Sequence, residues 1–304
     1  MNPRYAVRNA LHTLALLAAM GLLLFGVATT LLGPWGAMVV GGLAVVTLAM
    51  VPRISAAWMA QRMGAHPTHP LHVPWLHSAV VTLAERAGLP HTPTLHVLPS
   101  PMLQAMALGT ADDGAIVVTT GLLRRIGRRE LLGVLAHEIS HLRHGDTSVM
   151  RIASVVSEMT RWLARVGLLA VLLTVPLLLL GIAEVSLLAV VLLLLTPPTT
   201  QLLWTGLSRS REFDADASAA ELTGDPMGLA HALAELERFY NSSWVRWLNP
   251  LARPQVPAWL RTHPDTHERI ARLKAMAPTV NHRPVPDPLP YRPRTGVRRI
   301  IVHA

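Results

Sequence analysis

Two long stretches of the chain carry almost no charged side chains. No charged residue lies between Arg8 and Arg53, and the stretch from Val166 to Ser208 contains a single one, Glu184. Each stretch has room for two helices of about 20 residues, the length that crosses about 30 Å of hydrocarbon. Because helices in the cores of soluble proteins rarely run so far without a charged face, the pattern predicts two transmembrane hairpins.

Turn-forming and polar residues divide each stretch near its middle. Gly33 and Pro34 mark the turn of the first hairpin, and Glu184 lies at the turn of the second. The four predicted spans are Leu11–Leu32, Trp35–Val51, Val166–Ile182 and Val185–Leu203. The chain then divides into hairpins at residues 1–52 and 166–208, polar segments at residues 53–165 and 209–277, and a proline-rich tail at residues 278–304.

The polar segments show the patterns of a mixed α and β domain. In chain order, they predict a helix at His72–Ala87, strands at Thr94–Leu98, Ala105–Leu108 and Ala115–Thr119, and a helix at Arg129–Arg143. Asp113-Gly114 lies between the last two strands and is a hairpin turn signal. The last helix has apolar residues on nearly all sides, which is typical of a buried helix.

Composition and charge agree with a membrane protein. The chain is 51% hydrophobic and 15% charged, whereas soluble domains carry about a quarter charged residues. Its net charge of +9 comes almost wholly from arginine, which a GC-rich genome would also favour. Arginines flank the four spans on one side, and the turns within the two hairpins hold none, so the positive-inside rule places both termini and all polar segments in the cytoplasm.

This arrangement predicts a multi-pass protein of the cell inner membrane. The lipid bilayer is one expected partner, and no nucleic-acid partner is expected. A cleavable signal peptide is the competing interpretation of the N-terminus, but a second span follows the first at once. The chain has no cysteine, which excludes disulfides, cysteine-ligated zinc and cysteine nucleophiles.

His137 and His141 frame the sequence H-E-I-S-H within the last predicted helix. Histidines at positions i and i+4 lie on one helix face about one turn apart, so both imidazoles can reach one Zn²⁺. Glu138 lies between them, where it can take a proton from a water molecule at the metal and pass it to a leaving amine. Such a polar set would be costly to bury in an apolar helix without a partner such as a metal.

A hydrolytic zinc site also needs a third protein ligand and an open position. The best candidate follows the fourth span in S-R-S-R-E-F-D-A-D, where Glu212 and Asp216 share one helix face. Glu212 can bind the metal while Asp216 accepts a hydrogen bond from the second ring nitrogen of a liganding histidine. The alternative is that this segment is the solvent-exposed start of a helix, whose N-terminus the acidic side chains stabilise. The second hairpin, however, returns the segment to the membrane face that carries H-E-I-S-H, which favours the ligand interpretation.

The chain resembles the HtpX-type membrane metalloproteases, within the larger group that includes the CAAX prenyl proteases. The resemblance covers nearly the whole chain and rests on the spans and on several motifs. These motifs are P-S-P-M-L-Q-A-M-A-L-G at residues 99–109, I-V-V-T-T-G-L-L at 116–123, V-L-A-H-E-I-S-H at 134–141, S-R-S-R-E-F-D-A-D at 208–216 and T-H-P-D-T-H-E-R-I-A-R-L at 262–273.

The resemblance implies a mainly α membrane protein with four transmembrane helices and a cytoplasmic α+β zincin-like metalloprotease domain. It implies one zinc ion per chain, held by His137, His141 and Glu212, with Glu138 as the catalytic residue. The implied activity is that of a zinc metalloendopeptidase. Its implied substrates are misfolded or damaged membrane proteins, cut on the cytoplasmic side as part of protein quality control.

Two further site predictions also come from the resemblance. In related enzymes the strand that here contains Gln104, Ala105, Met106 and Ala107 lines the cleft and pairs with the substrate backbone. This chain has Gln-Ala-Met-Ala where the family usually has Asn-Ala-Phe-Ala. A histidine in the T-H-P segment can approach the cleft and stabilise an oxyanion in relatives, which makes His263 a second catalytic candidate, although simple packing of this segment is the alternative.

Two other functions compete with the degradation of membrane proteins. One is a CAAX-type maturation protease that cuts lipidated C-terminal peptides, but those relatives carry more spans around a chamber. The other is a non-catalytic membrane scaffold that keeps a metal as a structural element. Structural zinc sites are usually closed by four protein ligands, whereas this sequence offers three and a glutamate beside them.

Overall fold

The computed structural model describes residues 3–50, 54–71, 73–182, 184–241 and 266–277, with side chains from residue 11 onward. Its helices are α1 (Pro3–Met50), α2 (Ala56–Arg62), α3 (Pro74–Ala87), α4 (Thr120–Arg125), α5 (Arg128–His144), α6 (Asp146–Leu179), α7 (Leu187–Thr223), α8 (Pro226–Asn241) and α9 (Thr266–Met276). Its strands are β1 (His66–Pro67), β2 (Thr94–Leu98), β3 (Ala105–Gly109) and β4 (Gly114–Thr119). The proline-rich tail predicted at residues 278–304 lies outside the described residues.

The four strands form one small mixed sheet in the order β1-β2-β4-β3. Strands β3 and β4 pair antiparallel, with Met106 opposite Val117, so the hairpin predicted at Asp113-Gly114 is confirmed. Strand β2 pairs in parallel with β4, with Leu95 opposite Ile116. This order leaves β3 at one edge of the sheet.

Helix α5, the predicted buried helix, lies at the centre of the polar domain. Its side chains Leu135, Ile139 and Leu142 are fully buried in a core shared with the sheet, α3, α7 and α8. Its Gly133 approaches Leu229 of α8 so closely that an added Cβ would lie 2.7 Å from the Leu229 backbone nitrogen. The prediction of a buried helix with apolar residues on nearly all sides is confirmed between Leu131 and Leu142. This buried helix positions the two histidines near its end.

Three helices of the described part of the chain are long and apolar enough to cross a membrane: α1 from Leu11 onward, α6 and α7. They pack on one another through small buried clusters, while many of their leucines face outward. Helices that are surrounded by lipid are expected to expose apolar side chains on their outer surface. The mainly α membrane fold with a small mixed sheet is therefore present.

Helix α1 is broken at Gly33, where φ is +71°. Met20 and Leu24 before the break and Ala44 after it belong to one buried cluster. A straight helix would hold Met20 and Ala44 about 36 Å apart, so the chain turns back at Gly33. The structure thus has the predicted turn, and the count of four separate spans stays a prediction.

Helices α6 and α7 continue from the membrane part of the molecule into the polar domain. Helix α6 begins at Asp146, directly after α5, and α7 extends to Thr223. The segment boundaries predicted near residues 165 and 208 therefore fall inside continuous helices. These two helices connect the apolar bundle rigidly to the region around H-E-I-S-H.

Candidate metal centre

The two histidines of α5 face each other across one helical turn. The Nε2 atoms of His137 and His141 lie 3.1 Å apart, and the two rings meet edge to face. Helix α5 ends at His144, three residues after His141, because Gly145 adopts the left-handed conformation that closes a helix. The i, i+4 spacing therefore brings both ring nitrogens to one point, as predicted.

Glu212 of α7 completes a group of three potential metal ligands. Its Oε2 atom lies 3.4 Å from His137 Nε2, and its Oε1 atom lies 3.7 Å from His141 Nε2. The three ligand atoms all lie within 4.8 Å of one another. Tetrahedral ligands about 2.0–2.1 Å from a zinc ion are a little over 3 Å apart, so the arrangement suits an ion of this size.

A carboxylate lies behind each of the two imidazoles. His137 Nδ1 is 3.0 Å from Asp216 Oδ1, and His141 Nδ1 is 2.9 Å from Asp146 Oδ2. Donation of His141 Nδ1–H to Asp146, and the short contact of His137 Nδ1 with Asp216, direct the Nε2 lone pairs toward the shared point. Asp216 lies where the sequence predicted it. Sequence reasoning missed Asp146, although its position immediately after the helix and its Gly145 cap was the available signal.

Arg269 of α9 joins the site from a distant part of the sequence. Its guanidinium binds both oxygens of Asp216 at 2.7 Å and lies 3.2 Å from Glu212 Oε2. Burial alone would lower the pKa of Arg269, but Asp216 and Glu212 raise it further above its ordinary value. This residue was also missed: it stands within the T-H-P-D-T-H-E-R motif, where the apolar stripe of the helix indicated packing alone.

The donor set and its charges fit a divalent cation. Four carboxylates are buried here, those of Glu138, Asp146, Glu212 and Asp216. They contact two guanidinium groups, those of Arg211 and Arg269, so the buried carboxylates outnumber the guanidinium groups in contact with them by two. Because buried charges are stable only when they are neutralised, a divalent ion at the three ligand atoms would balance the cluster.

Without a metal ion, protons on the two histidines would balance the negative charge of the buried carboxylates. Burial alone would lower the pKa of His137, but its hydrogen bonds to Asp216 and Glu212 raise it to about 10. The pKa of His141 is likewise raised, mainly by Asp146 against the opposing effect of burial. A metal ion and these two protons compete for the same nitrogen lone pairs, so metal binding would release protons.

Glu138 lies beside the three ligand atoms in a cavity of about 400 Å³. Its Oε2 atom accepts a hydrogen bond of 2.8 Å from the backbone N–H of Ala107 in the edge strand β3. Ala105 and Met106 line the same cavity. Gln104 does not line it, because its backbone N–H bonds to the Thr119 hydroxyl and its side chain contacts Tyr240.

The far end of the cavity is formed by the long apolar helices. Met150 of α6 and Trp204 of α7 line it together with Met59 of α2. The cavity therefore extends from the ligand group toward the membrane part of the molecule. His263, the proposed oxyanion-stabilising residue, lies outside the described residues.

Comparisons with known proteins find similarity over most of the chain. Residues 70–277 match peptidase family M48. A protein named protease HtpX homolog from Acaryochloris marina is 35% identical over 297 residues, which cover 91% of this chain and 97% of its own length. One of the same name from Acidiphilium cryptum is 32% identical over 298 residues, with coverages of 88% and 97%. The crystal structure of S. mikatae Ste24p, 20% identical, aligns with 89% of this chain and 66% of its own at a TM-score of 0.49.

Proposed function

The chain belongs to peptidase family M48 and is a membrane metalloendopeptidase, and we propose that it cuts misfolded or damaged membrane proteins on the cytoplasmic side of the cell inner membrane. One observation carries the proposal. Two imidazoles and a carboxylate converge within 4.8 Å, next to Glu138 and at the edge strand of a sheet. That arrangement has the parts that metal-assisted hydrolysis of a peptide bond requires.

The proposed cofactor is one zinc ion per chain, held by His137, His141 and Glu212. Nitrogen and carboxylate ligands in a group of three are typical of catalytic zinc sites, which keep one position open. When bound, zinc supplies the positive charge that activates a water molecule and polarises the scissile carbonyl. Asp216 and Asp146 would keep the two imidazoles in the tautomer that presents Nε2 to the ion.

Glu138 is the proposed general base. It would take the proton of the attacking water and then deliver it to the nitrogen of the leaving amine. The hydrogen bond from the Ala107 N–H to Oε2 supports this role, because it fixes the carboxylate and leaves its second oxygen to carry the proton.

The edge of β3 is the proposed site of substrate binding. An extended peptide can add to a sheet edge through backbone hydrogen bonds, and Ala105, Met106 and Ala107 belong to the edge strand β3 beside Glu138, whose carboxylate already accepts the Ala107 N–H. Backbone pairing selects an extended conformation rather than a particular sequence. Such a mode suits unfolded segments of damaged proteins.

The proposed topology has four crossings, with both termini and the metal centre in the cytoplasm. The break in α1 at Gly33 supports two crossings within that helix, and α6 and α7 would supply the other two. Arginines at the domain ends of the spans support the orientation through the positive-inside rule. Substrates anchored in the same membrane would then meet the cavity near the lipid surface.

The test replaces Glu138 by Gln in the full-length protein in mild detergent or liposomes. Glu138→Gln should still bind zinc but cleave a model membrane substrate at least about 100-fold more slowly, the range expected on loss of a general base. Glu130→Gln is the matched control, since Glu130 lies on the same helix away from the ligands. Undiminished cleavage by Glu138→Gln would remove this residue from the mechanism and refute the proposal.

A further inference from the structure

A chain of hydrogen bonds joins the first apolar helix to the candidate ligand His141. Thr13 of α1 accepts a hydrogen bond of 2.6 Å from Arg211 Nη2, and Arg211 Nη1 donates one of 2.6 Å to Asp146 Oδ1. The second oxygen of Asp146 accepts from His141 Nδ1 at 2.9 Å. Four helices, α1, α7, α6 and α5, each contribute one residue to this chain.

Asp146 depends on Arg211 for its charge and for its orientation. Asp146 is 1% exposed, and a buried carboxylate without a cationic partner would be strongly destabilised. Arg211 binds the oxygen that His141 leaves free, so the guanidinium turns the other oxygen toward the imidazole. The position of His141 Nε2 therefore rests on Arg211 through the carboxylate.

Arg211 in turn depends on Thr13. The planar guanidinium carries donors in a fixed fork, so a contact at one end orients the other end. Thr13 is buried and lies two residues inside the apolar part of α1, where a hydrogen bond is stronger than in water. Arg211 also directly precedes Glu212 in α7, so one short stretch of helix supplies one candidate ligand and holds the second.

We propose that Arg211 is a positioning residue that couples the packing of the first transmembrane helix to the zinc ligand His141. The inference rests on the proposed zinc site but not on proteolysis. A first transmembrane helix displaced from α7 would release Arg211, turn Asp146 and lower the affinity of the site for zinc. The membrane bundle therefore helps to determine how well the centre holds its metal.

The experiment measures zinc affinity of the full-length protein in mild detergent by competition with a chromophoric chelator. Arg211→Met removes the donors and keeps most of the side-chain stem, and it should weaken zinc binding by about 10-fold or more, as for other groups that support a metal ligand. Arg209→Met is the matched control, because Arg209 lies two residues away on the same helix and is exposed. Arg211→Lys should recover only part of the loss, since an ammonium group cannot bridge both partners.

The link to the first helix is tested separately with Thr13. Thr13→Val keeps the shape and removes the hydroxyl, and it should weaken zinc binding several-fold, whereas Thr13→Ser should not. Protection from a soluble protease verifies that each variant is folded, and the Thr13 pair remains decisive if Arg211→Met does not fold. The proposal would be overturned if the zinc affinity of Arg211→Met were within twofold of that of Arg209→Met. It would also be overturned if Thr13→Val and Thr13→Ser bound zinc equally well. A wild-type protein that binds zinc but cuts no peptide would refute the proposed function and leave this comparison valid.

Discussion

Arg269 provides the sharpest test of how the centre is held together. It is 5% exposed, and its guanidinium contacts both oxygens of Asp216 and one oxygen of Glu212. Arg269→Met would leave these two buried carboxylates without their guanidinium partner. Removal of one member of a buried ion pair costs about 3–5 kcal/mol, because the remaining charge is uncompensated. The free energy of unfolding of the variant should fall by that amount.

A matched control lies on the same helix. Arg272 is half exposed, pairs with Glu268 at i, i+4 and lies over the ring of Phe213. An exposed pair of this kind contributes about 0.5 kcal/mol, and an exposed cation–π contact adds about 0.5–1 kcal/mol. Arg272→Met should therefore cost about 1 kcal/mol, so the two variants should differ by at least about 2 kcal/mol.

Pulse proteolysis across a urea series can measure these free energies in mild detergent. If the loss in Arg269→Met comes from uncompensated charge, adding Asp216→Asn should restore part of it, and a double-mutant cycle would give the coupling energy. A loss for Arg269→Met within about 1 kcal/mol of that for Arg272→Met would refute the electrostatic reasoning. Arg269 would then be a packing residue.

Three further predictions follow from the same structure. Removal of metal by a chelator should abolish cleavage, and zinc should restore it at one ion per chain; cleavage by metal-free protein would contradict the assignment. Gly133→Ala should lower the free energy of unfolding by about 1–3 kcal/mol, because the added Cβ would meet the backbone of Leu229. Gly26→Ala, which has open space around it, should not lower it. Equal unfolding free energies for the two variants would contradict the close packing of α5 on α8. Burial lowers the pKa of His96 below 6.5, so as pH falls below about 6.5 the unfolded chain binds a proton at His96 before the folded chain does, and the folded state loses stability. His96→Leu should therefore lose less stability than the wild type between pH 7.5 and 5. Parallel plots of unfolding free energy against pH for the two proteins would contradict this.

Local patterns were sufficient to predict most of the individual elements. Strand β2 occupies Thr94–Leu98 as predicted, and β3 and β4 pair about the predicted turn. Helix α5 exceeds its predicted bounds by one residue at each end. These elements follow from periodicity and from turn residues, which act over a few positions and need no tertiary contact.

The grouping of the three candidate ligands was also predictable, for a similar reason. His137 and His141 are brought together by helical spacing alone. Glu212 required one long-range assumption, that a hairpin returns α7 to the same membrane face, and the hydrophobic pattern itself predicted that hairpin. Each of these residue types is a characteristic metal ligand, so its chemistry was visible before its position was known.

The two arginines that contact the supporting and liganding carboxylates were decided by tertiary structure alone. Arg269 and Arg211 look in sequence like ordinary arginines near a membrane protein's polar surface, and only packing shows that one is buried on Asp216 and the other binds Asp146. The parallel pairing of β2 with β4 was equally hidden. Sequence periodicity reports which face of an element is apolar, but not which element covers that face. Packing of the whole chain determines which residues 50 or more positions apart come into contact. The buried charges of this centre are balanced through such long-range contacts.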